Sequence, residues 1–226
     1  MFRFRLWGRC TPRFLLVCLM MVLALPARAQ NPATITFTLD FPGSEPDHYA
    51  ISIASDGHGS YDSTGKLRSD VQDQDAFHLD FTVSQATRNR VFELARRAHF
   101  FQGNIDSGKK NLASTGKKVL SYQDVQHSTE ARYNYSSLPA VQQLTQMLQS
   151  LSTTLEFGRR LQYYHRYQKL GLDEELKRME EMAKDNGLVE ISAIASVLEQ
   201  IAADSSVINA DRARAQRLLA LAQNGQ

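Results

Sequence analysis

The segment "TITFTLDFPGSEPDHYAISIASDGHGSY", residues 34–61, decides the fold class of this chain. Apolar side chains occupy every second position in two parts of it: Ile35, Phe37 and Leu39, then Tyr49, Ile51 and Ile53. A period of two indicates strands that are buried on one face. The pair Asp56-Gly57 that follows is typical of a tight hairpin turn. The segment therefore predicts neighbouring antiparallel strands that share one apolar face.

Further strands and one helix follow before residue 137. The stretches "AFHLDFTV", "KKVLSYQDV" and "EARYNYS" each predict a strand, and a hairpin turn is expected near His127-Ser128. Ser84 is a typical helix N-cap, and the "QATRNRVFELARRAHF" segment after it carries an apolar stripe. These patterns predict an antiparallel sheet with one or two packed helices over residues 30–157.

The rest of the chain has the spacing of helices. Val141, Leu144, Leu148, Leu151 and Leu155 repeat at helical intervals. Gly171 and the Asn186-Gly187 pair are typical helix ends, and Asn209 is a typical start. Strands followed by helices indicate the α+β class. We therefore divide the chain into a signal peptide (1–29), an α+β domain (30–157) and a helical C-terminal segment (158–226).

The strand-turn-strand segment resembles the start of a family of uncharacterised exported bacterial domains. The residues that match are Gly43, Pro46, Tyr49, Asp56, Gly57 and Tyr61, together with the aromatic helix end from His99 to Phe101. Pro42 and Glu45 stand near the places of two cysteines in the family's turn, and one extra residue precedes Tyr49. The resemblance covers residues 34 to about 155. It implies an exported fold of this kind and no particular activity.

The N-terminus has the three-part layout of a secretory signal peptide. Four arginines precede an apolar run from Phe14 to Leu25, and Ala27-Arg28-Ala29 is an A-x-A cleavage site. Twelve residues rise only ~18 Å as a helix, which is short of the ~30 Å hydrocarbon core of a membrane. We expect export to the periplasm or beyond, cleavage after Ala29 and no transmembrane anchor in the mature chain.

Removal of residues 1–29 changes the composition of the protein. That segment holds five arginines and no acid, so 21 basic and 24 acidic side chains remain and the net charge is −3. This balance gives no reason to expect a nucleic-acid partner. Both cysteines, Cys10 and Cys18, leave as well. The mature chain is then expected to have no disulfide, no thiolate nucleophile and no cysteine-ligated zinc.

The stretch "GNIDSGKKN" from Gly103 is similar to a phosphate-binding loop, but its context is wrong. Such a loop needs a strand before it and a helix after it, and a Ser or Thr that holds magnesium. Here a helix leads in, a polar loop leads out, and Lys110 takes the place of the Ser or Thr. The sequence predicts no nucleotide and no other cofactor.

Basic side chains nevertheless gather around this loop. Lys109-Lys110 and Lys117-Lys118 repeat eight residues apart, and residues 88–118 hold eight basic side chains against two acids. Residues 40–80 hold nine acids against two basic residues. Either the two segments neutralise each other within one domain, or the lysines form a basic surface for an acidic ligand such as a polysaccharide or lipid head groups.

A second candidate surface is the aromatic stretch "RRLQYYHRYQKL". Tyr163, Tyr164 and Tyr167 lie there between basic side chains. Tyrosines at this spacing either cover the edge of a core or form a binding face for a sugar, a peptide or a membrane interface.

Recognisable catalytic and metal-binding motifs are lacking. The stretch "SDVQDQDAFHLD" supplies Asp70, Asp73, Asp75, His78 and Asp80, but without the ligand spacing of a calcium loop. Alternation places His78 and Asp80 on the solvent face of their strand. The six histidines form no H-x-x-x-H pair, and no G-x-S-x-G occurs. We therefore interpret the chain as a non-enzymatic binding or protein-interaction module, with a hydrolase site assembled from separate segments as the alternative.

Overall fold

The computed structural model describes residues 32–67 and 75–224, which lie in one compact unit. The predicted signal peptide with its cleavage after Ala29, and the acidic residues Asp70 and Asp73, lie outside the described residues. The strands are β1 (Thr34–Asp40), β2 (His48–Ala54), β3 (His58–Gly65), β4 (Asp75–Thr82), β5 (Lys117–Gln123) and β6 (Ser128–Tyr133). The α-helices are α1 (Gln85–Arg97), α2 (Pro139–Tyr167), α3 (Leu172–Lys184), α4 (Ala195–Ala203) and α5 (Asn209–Asn224).

The six strands form one antiparallel sheet in the order β4-β3-β2-β1-β5-β6. β1 is therefore a central strand, in which Ile35 pairs with Ile53 on one side and Tyr122 on the other. The predicted Asp56-Gly57 turn joins β2 to β3: the Asp56 carboxylate accepts the N–H of His58, and Gly57 has a φ of +99°. The predicted α+β class is confirmed.

The two faces of the sheet have different environments. Every second side chain of the central strands is fully buried, as Phe37, Ile51, Tyr61 and Leu120 show. We call this the inner face. The residues between them are half-buried or exposed, so the opposite, outer face reaches solvent. This is the alternation expected of an antiparallel sheet that is covered on one side.

The helices pack into the same core as the inner face. Ser84 caps α1 as predicted, because its hydroxyl accepts the N–H of Thr87. The longest helix, α2, buries an apolar stripe that includes Val141, Leu144 and Leu155. α2 continues without a break across residue 157, where the two-domain division was placed. That division stays a prediction, and the sheet and the C-terminal helices share one hydrophobic cluster.

In the described part of the chain, the helices are too short or too polar to cross a lipid bilayer.

Candidate functional site

A cavity of about 570 Å³ lies over the outer face at one end of the sheet. We call it the basic cavity. The acidic, basic and histidine side chains among its lining residues are those of Asp40, His48, Lys117, Lys118 and Arg132. The end of β1, the start of β2, the start of β5 and the end of β6 all meet at this place. The sheet topology, and not closeness in sequence, brings these residues together.

The loop of residues 102–116 forms one wall of the basic cavity through Leu112, Ser114 and Gly116. Asp106 holds the loop against the end of β6, because its carboxylate accepts the N–H of Gly108 at 2.7 Å and of Asn134 at 2.8 Å. These two bonds, the first one foremost, lower the pKa of Asp106 below its usual value. Ser107 N–H also donates to the Tyr135 carbonyl. The wall is therefore fixed by backbone hydrogen bonds.

Gly116 allows the loop to return to the sheet. A Cβ at this position would lie 2.7 Å from Phe41 Cβ and 2.8 Å from Leu39 Cδ1, and the residue has a φ of +89°. Only glycine adopts that conformation at low cost. The close approach sets where the cavity wall meets β5.

The four candidate lysines of the basic surface have different environments. Lys117 is exposed beside the basic cavity and is paired in register with Asp40. Lys109 and Lys110 are exposed on the loop, with Lys109 Nζ 5.9 Å from the centre of the Tyr135 ring. The register places Asp40 and Lys117 directly opposite each other on neighbouring strands, which is the arrangement that neutralisation within one domain requires.

Lys118 differs from the expectation of a free, ligand-binding amine. Its residue is only 5% exposed, and Nζ donates to the Thr115 carbonyl, the Thr115 hydroxyl and the Asn134 carbonyl at 3.1, 2.6 and 3.0 Å. Burial lowers its pKa. Alternation explains the difference, because Lys118 is on the inner face of β5 while Lys117 is on the outer face. Lys118 therefore holds the loop and is not free for a ligand.

The three candidate tyrosines sit at the end of α2 and differ in exposure. Tyr164 is partly buried and packs against Gly171, where an added Cβ would come 2.5 Å from its ring. Tyr163 contacts both neighbours, with ring centroids 5.7 Å from Tyr164 and 5.3 Å from Tyr167. Tyr167 is 65% exposed, and the Arg166 guanidinium lies 5.7 Å from its ring centre. Tyr164 thus covers the core edge, and Tyr167 reaches solvent.

The segment that is similar to a phosphate loop has a different setting in the structure. A 3₁₀ turn from His99 to Phe101 leads in, and the next regular element after Lys109 is the strand β5. A phosphate loop requires a strand before it and a helix N-terminus after it.

Three histidine–carboxylate pairs lie at or near the surface of the described chain, and one of them joins His127 Nδ1 to Asp124 at 3.2 Å. His78 Nδ1 is 2.7 Å from Asp62 on the outer face, as alternation predicted, and Nε2 is 3.4 Å from Asp80. His165 Nε2 is 2.9 Å from Asp204, which also accepts from Lys169 at 2.6 Å. Within residues 32–67 and 75–224, no group of three or more His, Cys, Asp or Glu side chains is arranged to hold a metal ion.

A second cavity, which the sequence patterns did not predict, lies between the turn at residues 41–47, α2 and α3. We call this space, of about 210 Å³, the polar cavity. Its polar lining includes Tyr49, Ser152, Thr153, Glu156, Arg160 and Arg178. The signal in the sequence was a polar row along α2, since residues 149, 152, 153, 156 and 160 repeat at helical spacing.

Glu156, which lines the polar cavity, belongs to a buried hydrogen-bond cluster. Glu156 is 5% exposed, and its Oε1 accepts from the Tyr61 hydroxyl at 2.9 Å and the Ser63 hydroxyl at 2.7 Å. Burial first, and the charge of Glu156 second, raise the pKa of Tyr61 far above its ordinary value. Tyr61 is therefore a donor and not a general base.

Comparison with known proteins does not extend these observations: neither the protein-family models nor the curated proteins include a match to this chain.

Proposed function

We propose that this protein is an exported, non-enzymatic binding module whose ligand is an acidic polysaccharide that lies on the outer face of the sheet. The observation that carries this proposal is the basic cavity at the end of a sheet face lined with hydroxyl groups. The cations of the basic cavity complement the acidic groups of such a ligand. The hydroxyl groups of the sheet face complement its hydroxyls.

The acidic group of the ligand would enter the basic cavity. Lys117 is exposed there, and Arg132 is 81% exposed at its side chain with only Glu130 as an ion-pair partner among the described residues. An exposed pair of this kind contributes about 0–1 kcal/mol, so the guanidinium can exchange Glu130 for a carboxylate or phosphate of the ligand. The lining cations outnumber the one lining carboxylate, Asp40.

The uncharged part of the ligand would lie along a row of hydroxyls that crosses four strands. Ser60, Ser52, Thr36 and Ser121 are paired in register on β3, β2, β1 and β5. Neighbouring strands are ~4.8 Å apart, so this hydroxyl row presents a donor or acceptor at each step. Thr36 and Ser52 already contact each other at 2.9 Å. The small side chains leave the face open, as contact with a sugar chain requires.

The distribution of charge on the outer face favours a ligand with a discrete acidic group over a membrane surface. The row ends at Asp80 on one side and at Glu130 on the other, and Asp62 lies on the same face. A surface for anionic lipid needs a wide basic area. Here the cations are confined to one end.

Titration calorimetry with an oligouronate, inorganic phosphate and vesicles of anionic lipid tests this proposal. The expected result is oligouronate binding that weakens between about 20 mM and 500 mM salt, because exposed charges are screened. Lys117→Gln and Arg132→Gln should each weaken it roughly threefold to tenfold, and Lys177→Gln, an exposed lysine on α3, should not.

A further variant tests the contribution of the hydroxyl row to binding separately from that of the basic cavity. Thr36→Val keeps the shape of the side chain and removes its hydroxyl, so it should weaken oligouronate binding and leave phosphate binding unchanged. Binding of vesicles alone, or equal oligouronate affinity in the Lys117→Gln and Arg132→Gln variants, would contradict the proposal. So would no binding of any of the three probes at low salt.

A further inference from the structure

The polar cavity is lined by charged groups of both signs. Glu156 and Arg160 are four residues apart on α2 and therefore about one helical turn, ~5–6 Å, from each other. Arg178 of α3 and Glu45 of the turn add one further charge of each sign. A ligand that complements this lining carries a positive and a negative group close together and has no net charge.

Among the described residues, one carboxylate oxygen of Glu156 has no donor at good hydrogen-bond distance. Oε1 accepts both hydroxyl donors, whereas Oε2 has the Arg159 guanidinium at 3.6 Å, beyond good hydrogen-bond distance. Arg159 Nη1 is buried and has no hydrogen-bond partner in the described part of the chain. Of these two groups, only Glu156 lines the polar cavity, so the position that a ligand could complete is the one at Oε2. An ammonium group would supply hydrogen-bond donors for Oε2.

The arginines provide the complementary site for a carboxylate. Arg160 uses Nε to bind Glu175 at 2.6 Å, which leaves its two Nη groups as donors. Its guanidinium lies 4.9 Å from the centre of the Phe157 ring, and that of Arg178 lies 5.1 Å from the same ring. Phe157 thus positions both guanidiniums. Arg178 lines the cavity, is 4.0 Å from Glu175 and is 54% exposed at its side chain, so its guanidinium is accessible to a ligand.

The size of the cavity limits the ligand to a single small molecule. About 210 Å³ is below the ~300–1,000 Å³ of pockets that hold drug-sized ligands. The wall that faces α2 is supplied by Leu39 and Tyr49 of the sheet, which suits a short apolar side chain.

We infer that the polar cavity is a binding site for a free α-amino acid, with its ammonium group on Glu156 and its carboxylate on Arg160 and Arg178. The site is separate from the basic cavity and does not depend on the function proposed there.

Titration calorimetry with the common L-amino acids identifies the ligand, and blocked forms of the amino acid that binds test the assignment. N-acetylation removes the ammonium and amidation removes the carboxylate. Each should weaken binding at least about tenfold, the equivalent of ~1.4 kcal/mol for a lost charge-assisted contact. Glucose serves as the neutral polyol for comparison and should not bind.

Two variants and one control connect the binding to these residues. Glu156→Gln removes the carboxylate, and because it is buried its folding must be checked by circular dichroism. Arg178→Gln acts at the half-exposed rim and should weaken binding about tenfold without loss of fold. Lys177→Gln, the preceding residue on α3, makes the same charge change away from the cavity and should have no effect.

Several results would overturn the assignment. The assignment would be wrong if no amino acid binds at about 10 mM, or if the blocked forms bind as tightly as the free amino acid. It would also be wrong if only glucose binds, or if Arg178→Gln leaves the affinity for the amino acid unchanged. Lys117→Gln should leave amino-acid binding intact, so that failure of the proposed polysaccharide function and failure of this site remain distinguishable.

Discussion

The Tyr61 hydroxyl donates a 2.9 Å hydrogen bond to the Glu156 carboxylate, and this bond joins the third strand of the sheet to the middle of the longest helix. The two residues are 95 positions apart in the chain. The bond satisfies the buried carboxylate of Glu156, a residue that lines the polar cavity.

Tyr61→Phe should destabilise the protein by about 1–3 kcal/mol, because it removes a donor from a buried carboxylate and leaves the ring in place. Urea unfolding followed by circular dichroism measures the change. Tyr167→Phe is the matched control: that side chain is 65% exposed, and its effect should stay within about 0.5 kcal/mol. Equal effects of the two substitutions would show that the Tyr61–Glu156 bond contributes nothing.

Lys118→Met should destabilise the protein by about 1–3 kcal/mol, whereas Lys117→Met should stay within about 0.5 kcal/mol. The first substitution leaves the carbonyls of Thr115 and Asn134 without the donor that now binds them, and the second removes an exposed side chain. The measurement is the same unfolding experiment. A larger loss from Lys117→Met than from Lys118→Met would contradict the assignment of inner and outer face.

Gly116→Ala should cost more stability than Gly103→Ala. Both glycines have positive φ, +89° and +79°, so both substitutions carry the backbone penalty of about 1–3 kcal/mol. Only at Gly116 would the new Cβ also meet Phe41 and Leu39. Overpacking of this kind adds about 1–3 kcal/mol. Comparison of thermal unfolding in the two variants isolates the effect of the close contact on stability. Equal losses of stability would mean that the loop moves away from Phe41 and Leu39 at no cost.

The His78–Asp62 pair should stabilise the protein only at low pH. The hydrogen bond to Asp62, followed by that to Asp80, raises the pKa of His78 above 6.5 in the folded protein. A raised histidine pKa contributes stability below the unfolded value of about 6.5 and loses it as pH rises through the folded value.

His78→Asn should therefore lower stability at about pH 5 and have little effect at about pH 9, with unfolding measured at both. His58→Asn, an exposed histidine at the start of β3, is the control for general loss of charge on this face. A loss that is larger at the higher pH would contradict the sign.

The sheet and most of the helices follow from local patterns in the sequence. The period-two alternation in β1 and β2, the Asp56-Gly57 turn and the Ser84 cap each depend on neighbours a few residues away, and each was confirmed. By contrast, the roles of the lysines depend on distant partners. The pattern could not show that Lys118 would find acceptors at Asn134, because that contact requires β5 and β6 to pair in one register.

The candidate sites divide in the same way. The basic charge around residues 109–118 is visible in the sequence, but the cavity beside Lys117 exists only because β6 brings Arg132 to it. The polar cavity left a weak trace, the polar row on α2, which by itself is also typical of a solvated helix face. Only the packing of α2 on Tyr61 and Ser63 showed that Glu156 is buried.

The sequence by itself determined most of the strands and helices in their order, the buried face of the alternating strands and the turn at Asp56-Gly57. These properties depend on side-chain periodicity and on backbone preferences of single residues. The tertiary structure decided which polar groups are buried and which remain free, since that depends on contacts between segments far apart in the chain. The difference between Lys117 and Lys118, adjacent in sequence and opposite in environment, is the clearest case.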